Sequence, residues 1–293
     1  MKSRSLFLTF LLSLCFGIAE AGAQPKQQTI DHFYSELSGF GVWLQDEQRG
    51  FFWVSYEDDG FRPYFTNGYW AMTEFGNTWV SYYPWGWATF HYGRWMYDGY
   101  YGWVWFPGTE WGPAWVQWIS DKNFYGWRPL SIDSLEHKNR KAPADWWTMV
   151  PKHHIYLARS LARYNASNNE SVLKNARPIN NTYTNKFNGA VYITGPDHEE
   201  VCRVTNNQIC EETGQNVMVH KLHRLLNPAP TEIRRCEIYM YRPEFITTSA
   251  NLAPKDFIKA EVPLTGPAPV GTDRRPPFRD KLDFLRKQQS KTR

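Results

Sequence analysis

The sequence predicts a mainly β fold: a Trp-rich antiparallel β-hairpin repeat, forming a sheet or a barrel, followed by a small mixed α/β region and a disordered basic tail. Two observations support this prediction. Tryptophan recurs with a period of about 25 residues, and a glycine separates the two tryptophans of each unit. The aromatic share is 17%, with 15 Trp, so rings rather than aliphatic side chains are expected to fill the core.

The repeat is clearest at Trp53-Val54-Ser55, which recurs as Trp79-Val80-Ser81 and again as Trp103-Val104-Trp105. A preceding series consists of Trp43, Trp70, Trp95 and Trp118. Between the two series lie Gly50, Gly76 and Gly102. Glycine suits tight hairpin turns, and Trp, Tyr and Val suit a half-buried sheet. Each unit is therefore predicted to be one hairpin, with Trp79 and Trp103 as equivalent core positions.

The first residues are typical of an export signal. Lys2 and Arg4 precede an apolar run over residues 6–18, and Ala21-Gly22-Ala23 offers a signal-peptidase site. Leu14 precedes Cys15 where a lipoprotein signal has a small residue, so the sequence favours a cleaved signal over a lipid anchor.

The remaining chain divides by composition. We expect a signal peptide (1–23), a lead-in segment (24–39), a Trp-rich β-repeat domain (40–127), a small mixed α/β region (128–250), and a Pro-rich linker with a basic tail (251–293). Apolar spacing predicts short helices near residues 30–37 and 198–204 and strands near 190–193 and 237–241. Trp85 and Trp87, two positions apart, are predicted to share one face of a strand.

The charge is unevenly distributed. Residues 40–127 hold nine acidic and four basic side chains, which is unfavourable for binding phosphate backbones and excludes nucleic acid as the expected partner of this domain. Residues 274–293 hold eight basic and two acidic side chains. There Phe278, Leu282 and Leu285 have helical spacing, which makes this segment a candidate for peripheral contact with an anionic membrane or a partner protein. The alternative is a solvated terminus.

Three cysteines remain after removal of the signal: Cys202, Cys210 and Cys236. An export compartment permits disulfides, and the short spacing favours a Cys202–Cys210 pair. The sequence contains no Cys-x-x-Cys motif. The pairs His153-His154 and His220-x-x-His223 lack nearby acidic or cysteine partners in sequence. We therefore predict no metal site and no cofactor.

Seven tryptophans in and beside the repeat are the candidate binding residues. Exposed indole faces could stack on sugar rings, whereas buried ones would form the core. The seven are Trp85, Trp87, Trp95, Trp103, Trp105, Trp111 and Trp115. For the neighbouring His91 and Arg94 we expect structural roles, with Arg94 as a cation–π partner.

Acidic residues near the repeat turns provide the alternative, enzymatic interpretation. Two carboxylates at a suitable separation would cleave a glycosidic bond. The candidates are Glu57, Asp58, Asp59, Asp98 and Glu110. Because Asp and Gly are common turn formers, these side chains are more simply explained as turn residues. No nucleophile elbow, phosphate loop or zinc-protease motif is present.

Several motifs resemble those of the YXWXXW-repeat exported proteins of Gram-negative bacteria, a family of unknown function. They are Phe33-Tyr34-Ser35-Glu36-Leu37, Gly41-Val42-Trp43, Arg62-Pro63-Tyr64, Asn67-Gly68-Tyr69-Trp70, Pro84-Trp85-Gly86-Trp87-Ala88, His91-Tyr92-Gly93-Arg94-Trp95 and Trp111-Gly112-Pro113-Ala114-Trp115-Val116. The resemblance extends to about residue 225 and implies a location in the periplasm or outer envelope. It supplies no catalytic residues, and the three cysteines depart from it.

The sequence as a whole predicts a non-catalytic exported envelope protein, a binding or structural module. Its expected partner is a cell-envelope glycan or an envelope protein, and the alternative is an envelope glycan hydrolase using the turn carboxylates.

We expect export with cleavage after Ala23, because the basic n-region, apolar run and Ala-x-Ala site occur together. Amino-terminal sequencing of the protein recovered from the cell envelope should read from Gln24. Recovery of the full-length chain from the cytoplasm would contradict this prediction.

Overall fold

The computed structural model of the chain describes residues 27–132, 143–156, 161, 169–186, 188–205, 220–234, 237–246, 248, 250, 252–266, 268 and 275–289. The predicted signal peptide, Cys210 and Cys236 lie outside these residues, so the cleavage site and the disulfide stay predictions. The described chain is mainly β, as predicted, with sixteen strands in five open sheets.

The Trp-rich segment forms four successive β-hairpins. Their strands are β1 (Gly41–Asp46), β2 (Gly50–Ser55), β3 (Gly68–Thr73), β4 (Gly76–Ser81), β5 (Arg94–Asp98), β6 (Gly102–Phe106), β7 (Val116–Ser120) and β8 (Phe124–Pro129). Gly50, Gly76 and Gly102 begin the second strands with φ of 78°, 91° and 79°, as the turn prediction required. The fourth turn instead uses Asp121, whose carboxylate accepts from the backbone N–H groups of Asn123 and Phe124.

Each hairpin pairs a Trp of its first strand with a Trp of its second. The pairs are Trp43–Trp53, Trp70–Trp79, Trp95–Trp105 and Trp118–Trp127. The prediction that Trp103 is equivalent to Trp79 is wrong, since Trp103 lies opposite Tyr97. Trp103 and Trp105 share a face. The tryptophan that pairs across the hairpin is Trp105, the third residue after Gly102, just as Trp79 is the third residue after Gly76.

A glycine at the start of the first strand makes room for the paired ring. A Cβ atom built on Gly68 would lie 2.6 Å from the Trp79 ring, and one on Gly41 would lie 2.5 Å from the Trp53 ring. Because no side chain fits at such distances, the pattern Gly-x-Trp is part of the repeat itself.

Eight further strands and five helices complete the described fold. The strands are β9 (Thr148–Pro151), β10 (Arg177–Ile179), β11 (Thr182–Thr184), β12 (Val191–Ile193), β13 (Lys221–Leu225), β14 (Glu232–Arg234), β15 (Glu237–Tyr241) and β16 (Ile258–Lys259). The helices are α1 (Asp31–Leu37), α2 (Gly86–Thr89), α3 (Asn169–Leu173), α4 (His198–Val204) and α5 (Phe278–Gln289), with 3-10 turns at Ala144–Trp146 and Lys152–His154. No helix among the described residues is long and apolar enough to cross a membrane.

The sheets are antiparallel apart from two parallel pairs, β1–β16 and β13–β15. Their strand orders are β16-β1-β2-β6-β5, β10-β7-β8-β9, β13-β15-β14, β3-β4 and β11-β12. The predicted short helices correspond to α1 and α4, and the predicted strands to β12 and β15. Asp197 begins α4 by accepting from the N–H groups of Glu199 and Glu200.

The segment around Trp85 and Trp87 differs from its predicted strand, because residues 86–89 form the short helix α2. Gly86 permits this turn to lie against β4, since a Cβ atom there would meet the Ser81 hydroxyl at 2.4 Å. Trp85 packs parallel to Tyr83, with ring centroids 4.4 Å apart.

The first sheet, β16-β1-β2-β6-β5, is buried on both faces. One face places its paired tryptophans in the main aromatic core. The other face carries Val42, Leu44, Phe52, Val54, Met96, Val104 and Phe106 into a second, mostly aliphatic cluster. Phe278 and Leu282 of α5 and Leu264 complete this second cluster, and Leu285 packs against it. The carboxyl-terminal part of the chain therefore packs on the second face of the first sheet.

Two buried carboxylates attach residues 258–265 to this sheet. Asp46 accepts from the N–H groups of Gln48 and Arg49 in its own turn and from that of Leu264. Asp98 at the equivalent turn accepts from Tyr100, Tyr101 and Thr265. Burial alone would raise the pKa of Asp46, but the N–H groups of Leu264, Arg49 and Gln48 stabilise its carboxylate and leave that pKa below its ordinary value.

The predicted disordered tail differs from the structure, in which residues 278–289 form the helix α5. Phe278 and Leu282 are each 1% exposed against the sheet. Arg279 pairs with Asp59, and Arg286 donates to the Tyr56 carbonyl oxygen. The helix face that was predicted to dock on a membrane or a partner therefore packs against the protein's own first sheet. Because of this packing, removal of the tail should destabilise the repeat domain.

Phe278 and Phe284 lie on the same helix with opposite exposures, 1% and 58%. Phe278→Ala should lower the free energy of unfolding by about 3–5 kcal/mol, because a buried ring is lost from a packed cluster. Phe284→Ala should change it by at most about 0.5 kcal/mol. Urea unfolding of both variants measures this difference. Equal, small effects would show that α5 does not dock on the sheet.

Candidate functional site

All fifteen tryptophans are buried, including the seven candidate binding residues. Trp103, with 8% exposure, is the most accessible of them. Trp95, Trp105 and Trp115 donate their indole N–H groups to backbone carbonyl oxygens of residues 89–92. Arg94 lies over Trp115 with its guanidinium carbon 3.4 Å from the ring centre, as predicted. These rings build the core and present no open face on which a sugar could stack.

A polar cleft of about 550 Å³ lies beside this core. One wall comes from the hairpin segment and includes Tyr92, Glu110 and Trp111. A second wall comes from β13 and the segment after β15, and includes Arg224 and Arg242. A volume of several hundred Å³ is typical of sites for small organic ligands.

Arg242 is the central charged group of the cleft. Its guanidinium carbon lies 4.7 Å from the centre of the Trp111 ring and 5.3 Å from that of Phe75. Desolvation by these rings lowers the pKa of Arg242, although an arginine stays protonated at any physiological pH. The rings hold the guanidinium in place without satisfying its N–H groups.

The second arginine is already paired. Arg224 of β13 forms an ion pair with Glu244, whose side chain is about half exposed. The hydroxyl group of Tyr92 donates to the carbonyl oxygen of Pro243 at 2.7 Å and so anchors the segment that carries Glu244. The wall containing both arginines is therefore attached to the hairpin core.

Amide side chains line the remaining edge. Asn188 donates to the carbonyl oxygen of Trp111 at 3.1 Å and accepts from the N–H group of Ala190. Asn185, on the same turn, is buried, whereas Thr109 of the hairpin segment is exposed. Hydroxyl and amide groups of this kind donate and accept hydrogen bonds, as hydroxyl-rich ligands require.

The predicted turn carboxylates are brought together only in part. Of the five, Glu110 lines the cleft, where Glu244 is a second carboxylate. The carboxylate of Asp98 accepts a hydrogen bond from the N–H group of Tyr100 in its own turn. Asp59 forms ion pairs with Arg275 and Arg279 of the terminal segment. Asp58 accepts from the N–H group of Gly60, as a turn residue does. Burial raises the pKa of Glu57, which lies away from the cleft beside Tyr83 and α5.

The histidines serve as structural groups where they are described. His91 is buried against Trp111, and its Nδ1 atom lies 3.0 Å from the carbonyl oxygen of Gly112. His223 lies 3.2 Å from Glu237, and the rings of His153 and His154 lie 3.9 Å apart with an angle of 52° between their planes. Over the residues that the structure describes, no three His, Cys, Asp or Glu side chains are grouped to hold a metal ion. Cys202 is half-buried in α4, and its proposed partner Cys210 lies outside the described residues.

Residues 34–134 match the model of a family of unknown function (DUF6600). The chain matches no curated protein and no solved structure. The matched residues contain all four hairpins and the Tyr92, Glu110 and Trp111 wall of the cleft. Arg224 and Arg242 lie outside the match, so the charged wall is supplied by a part of the chain that the family model does not cover.

The pKa of His91 predicts a specific pH dependence of stability. Burial lowers this pKa from 6.5 to about 4. The unfolded chain therefore takes up a proton that the folded chain excludes. The contribution of His91 is fully present above pH 6.5 and is lost as the pH falls from 6.5 towards 4, by about 2–3 kcal/mol between pH 7 and 4.5.

Urea unfolding at pH 7 and 4.5 should show that His91→Gln removes this part of the pH dependence. The exposed His153→Gln is the matched control and should retain it. Parallel pH curves for the parent and His91→Gln would contradict the assignment.

Proposed function

We propose that the protein is an exported, non-catalytic module of the Gram-negative cell envelope that binds a glycan in the cleft between the hairpin core and the wall of Arg224 and Arg242. The cleft is the observation that carries this proposal. Because all fifteen indole rings are buried, the glycan is expected to bind to the polar groups that line the cleft rather than to stack on exposed aromatic rings.

The chemistry of the cleft favours a saccharide over a protein partner. Its volume accommodates a ligand of one to a few sugar rings. Its lining combines amides, a hydroxyl group and arginines, which suits ligands rich in hydroxyl groups. A protein partner needs a broad contact surface, about 800 Å² on each side. The predicted signal peptide supports the envelope location.

A glycan hydrolase is the second candidate, and one observation favours it: Glu110 and Glu244 line the same cleft. A retaining or inverting mechanism needs one carboxylic acid and one carboxylate on opposite sides of the bond. Glu244 already forms an ion pair with Arg224, which favours a binding role for this carboxylate over a catalytic one.

Retention of the mature protein on purified peptidoglycan and lipopolysaccharide tests the binding proposal. Thr109→Trp, which fills the cleft from its exposed wall, should reduce retention by about tenfold or more, since it excludes the ligand. Thr182→Trp, on exposed strand β11, is the matched control and should leave retention unchanged.

Equal retention of both variants would place binding elsewhere, and failure of the parent to bind either glycan would reject the proposal. The same incubations distinguish the hydrolase. Release of reducing ends that is abolished by both Glu110→Gln and Glu244→Gln would show catalysis, whereas binding without release supports the module.

A further inference from the structure

Arg242 is a charged group whose two acidic neighbours, Glu74 and Glu244, interact with other groups. Over the described residues, no hydrogen bond or ion pair involves its guanidinium, which lies over the Trp111 and Phe75 rings. The charged and polar groups that influence it are Tyr92, Arg224, Glu74 and Glu244.

Three neighbouring side chains that carry oxygen atoms, Glu74, Glu244 and Tyr92, each interact with another group. Both carboxylate oxygens of Glu74 accept from the N–H group of Leu222, at 3.2 and 3.0 Å. Glu244 is held by Arg224, and the Tyr92 hydroxyl group donates to Pro243. The cleft thus contains a partly desolvated guanidinium with its donors unused.

We propose that the cleft binds an acidic saccharide, whose carboxylate or phosphate group is held by Arg242; this deepens the proposed function and rests on it. The planar guanidinium donates two parallel N–H bonds to such an anion, which a neutral sugar does not offer. The two rings beneath Arg242 restrict its rotation, so less entropy is lost when the anion binds.

The negative charge of Glu244 should weaken the binding of the same acidic ligand. Its carboxylate neutralises Arg224 and lies on the same wall as Arg242. Removal of that negative charge would free a second guanidinium for the anion. The proposal therefore predicts opposite effects at two neighbouring positions, which a general loss of folding cannot produce.

Calorimetric titration of the full mature protein tests the proposal with three probes: trigalacturonic acid, glucose 6-phosphate and neutral chitotriose. The first two distinguish carboxylate from phosphate. Arg242→Gln should weaken binding of the preferred acidic probe by about ten- to a hundredfold, the range for a charge-assisted hydrogen bond. Arg242→Lys keeps the charge without the planar donors and should give an intermediate loss.

Glu244→Gln should strengthen binding of the same probe by about two- to fivefold. Arg234→Gln removes an exposed arginine of strand β14 that is paired with Glu232, and is the matched control without effect. Binding of an acidic probe that is insensitive to Arg242→Gln and Arg242→Lys, or equal binding of chitotriose and both acidic probes by the parent, would overturn the proposal.

The two proposals fail separately. Retention of envelope glycans that does not depend on Arg242 overturns the acidic-saccharide assignment and leaves the binding module intact. Conversely, Arg242-dependent binding of an acidic probe supports the assignment, even where neither peptidoglycan nor lipopolysaccharide is retained and the envelope-glycan function is rejected.

Discussion

The packing of thirteen of the fifteen indole rings into one core is the constraint on which the rest of the fold depends. An indole is too large to be buried by one hairpin, so each hairpin presents its cross-strand Trp pair to its neighbours. Trp70, for example, packs against Trp79 of its own hairpin and against Trp118 and Trp127 of the last. The glycines at the strand starts follow from this need, since Gly68 lies directly beneath the Trp79 ring.

Features that depend on local residue order could be predicted from the sequence. The hairpins, their turn glycines, helix α1 and the capped helix α4 all follow from nearby residues. Register was harder. The dense aromatic sequence around Trp103 and Trp105 offers two candidates on the same face, and only the pairing with Trp95 decides between them. Helix α2 was not predicted because Trp85 and Trp87 favour strands, whereas the close approach of Gly86 to Ser81 is a tertiary contact.

The candidate site was mostly beyond prediction because it is assembled from distant segments. Glu110 was identified, but for its charge near a turn and not for any motif. Arg224 lies in strand β13 and Arg242 directly follows strand β15. These two strands pair in parallel, which brings both arginines to one wall. Arg242 follows a strand in which apolar and polar residues alternate. This pattern does not predict that the guanidinium lies over the buried rings of Phe75 and Trp111. The terminal helix shows the same limit: its apolar spacing was correct, but the surface it covers lies about 170 to 240 residues earlier in the chain.

The attachment of the carboxyl-terminal segment to Asp46 and Asp98 also determines when the protein can fold. Leu264 donates to a carboxylate 218 residues earlier in the chain, and β16 adds to the first sheet beside its earliest strand. Contacts of such long sequence separation form slowly, because a long loop has to close before they contribute stability. The first sheet therefore stays incomplete, with one apolar face uncovered, until nearly the whole polypeptide has been synthesised. Interrupted synthesis would therefore yield products that expose an aggregation-prone apolar surface.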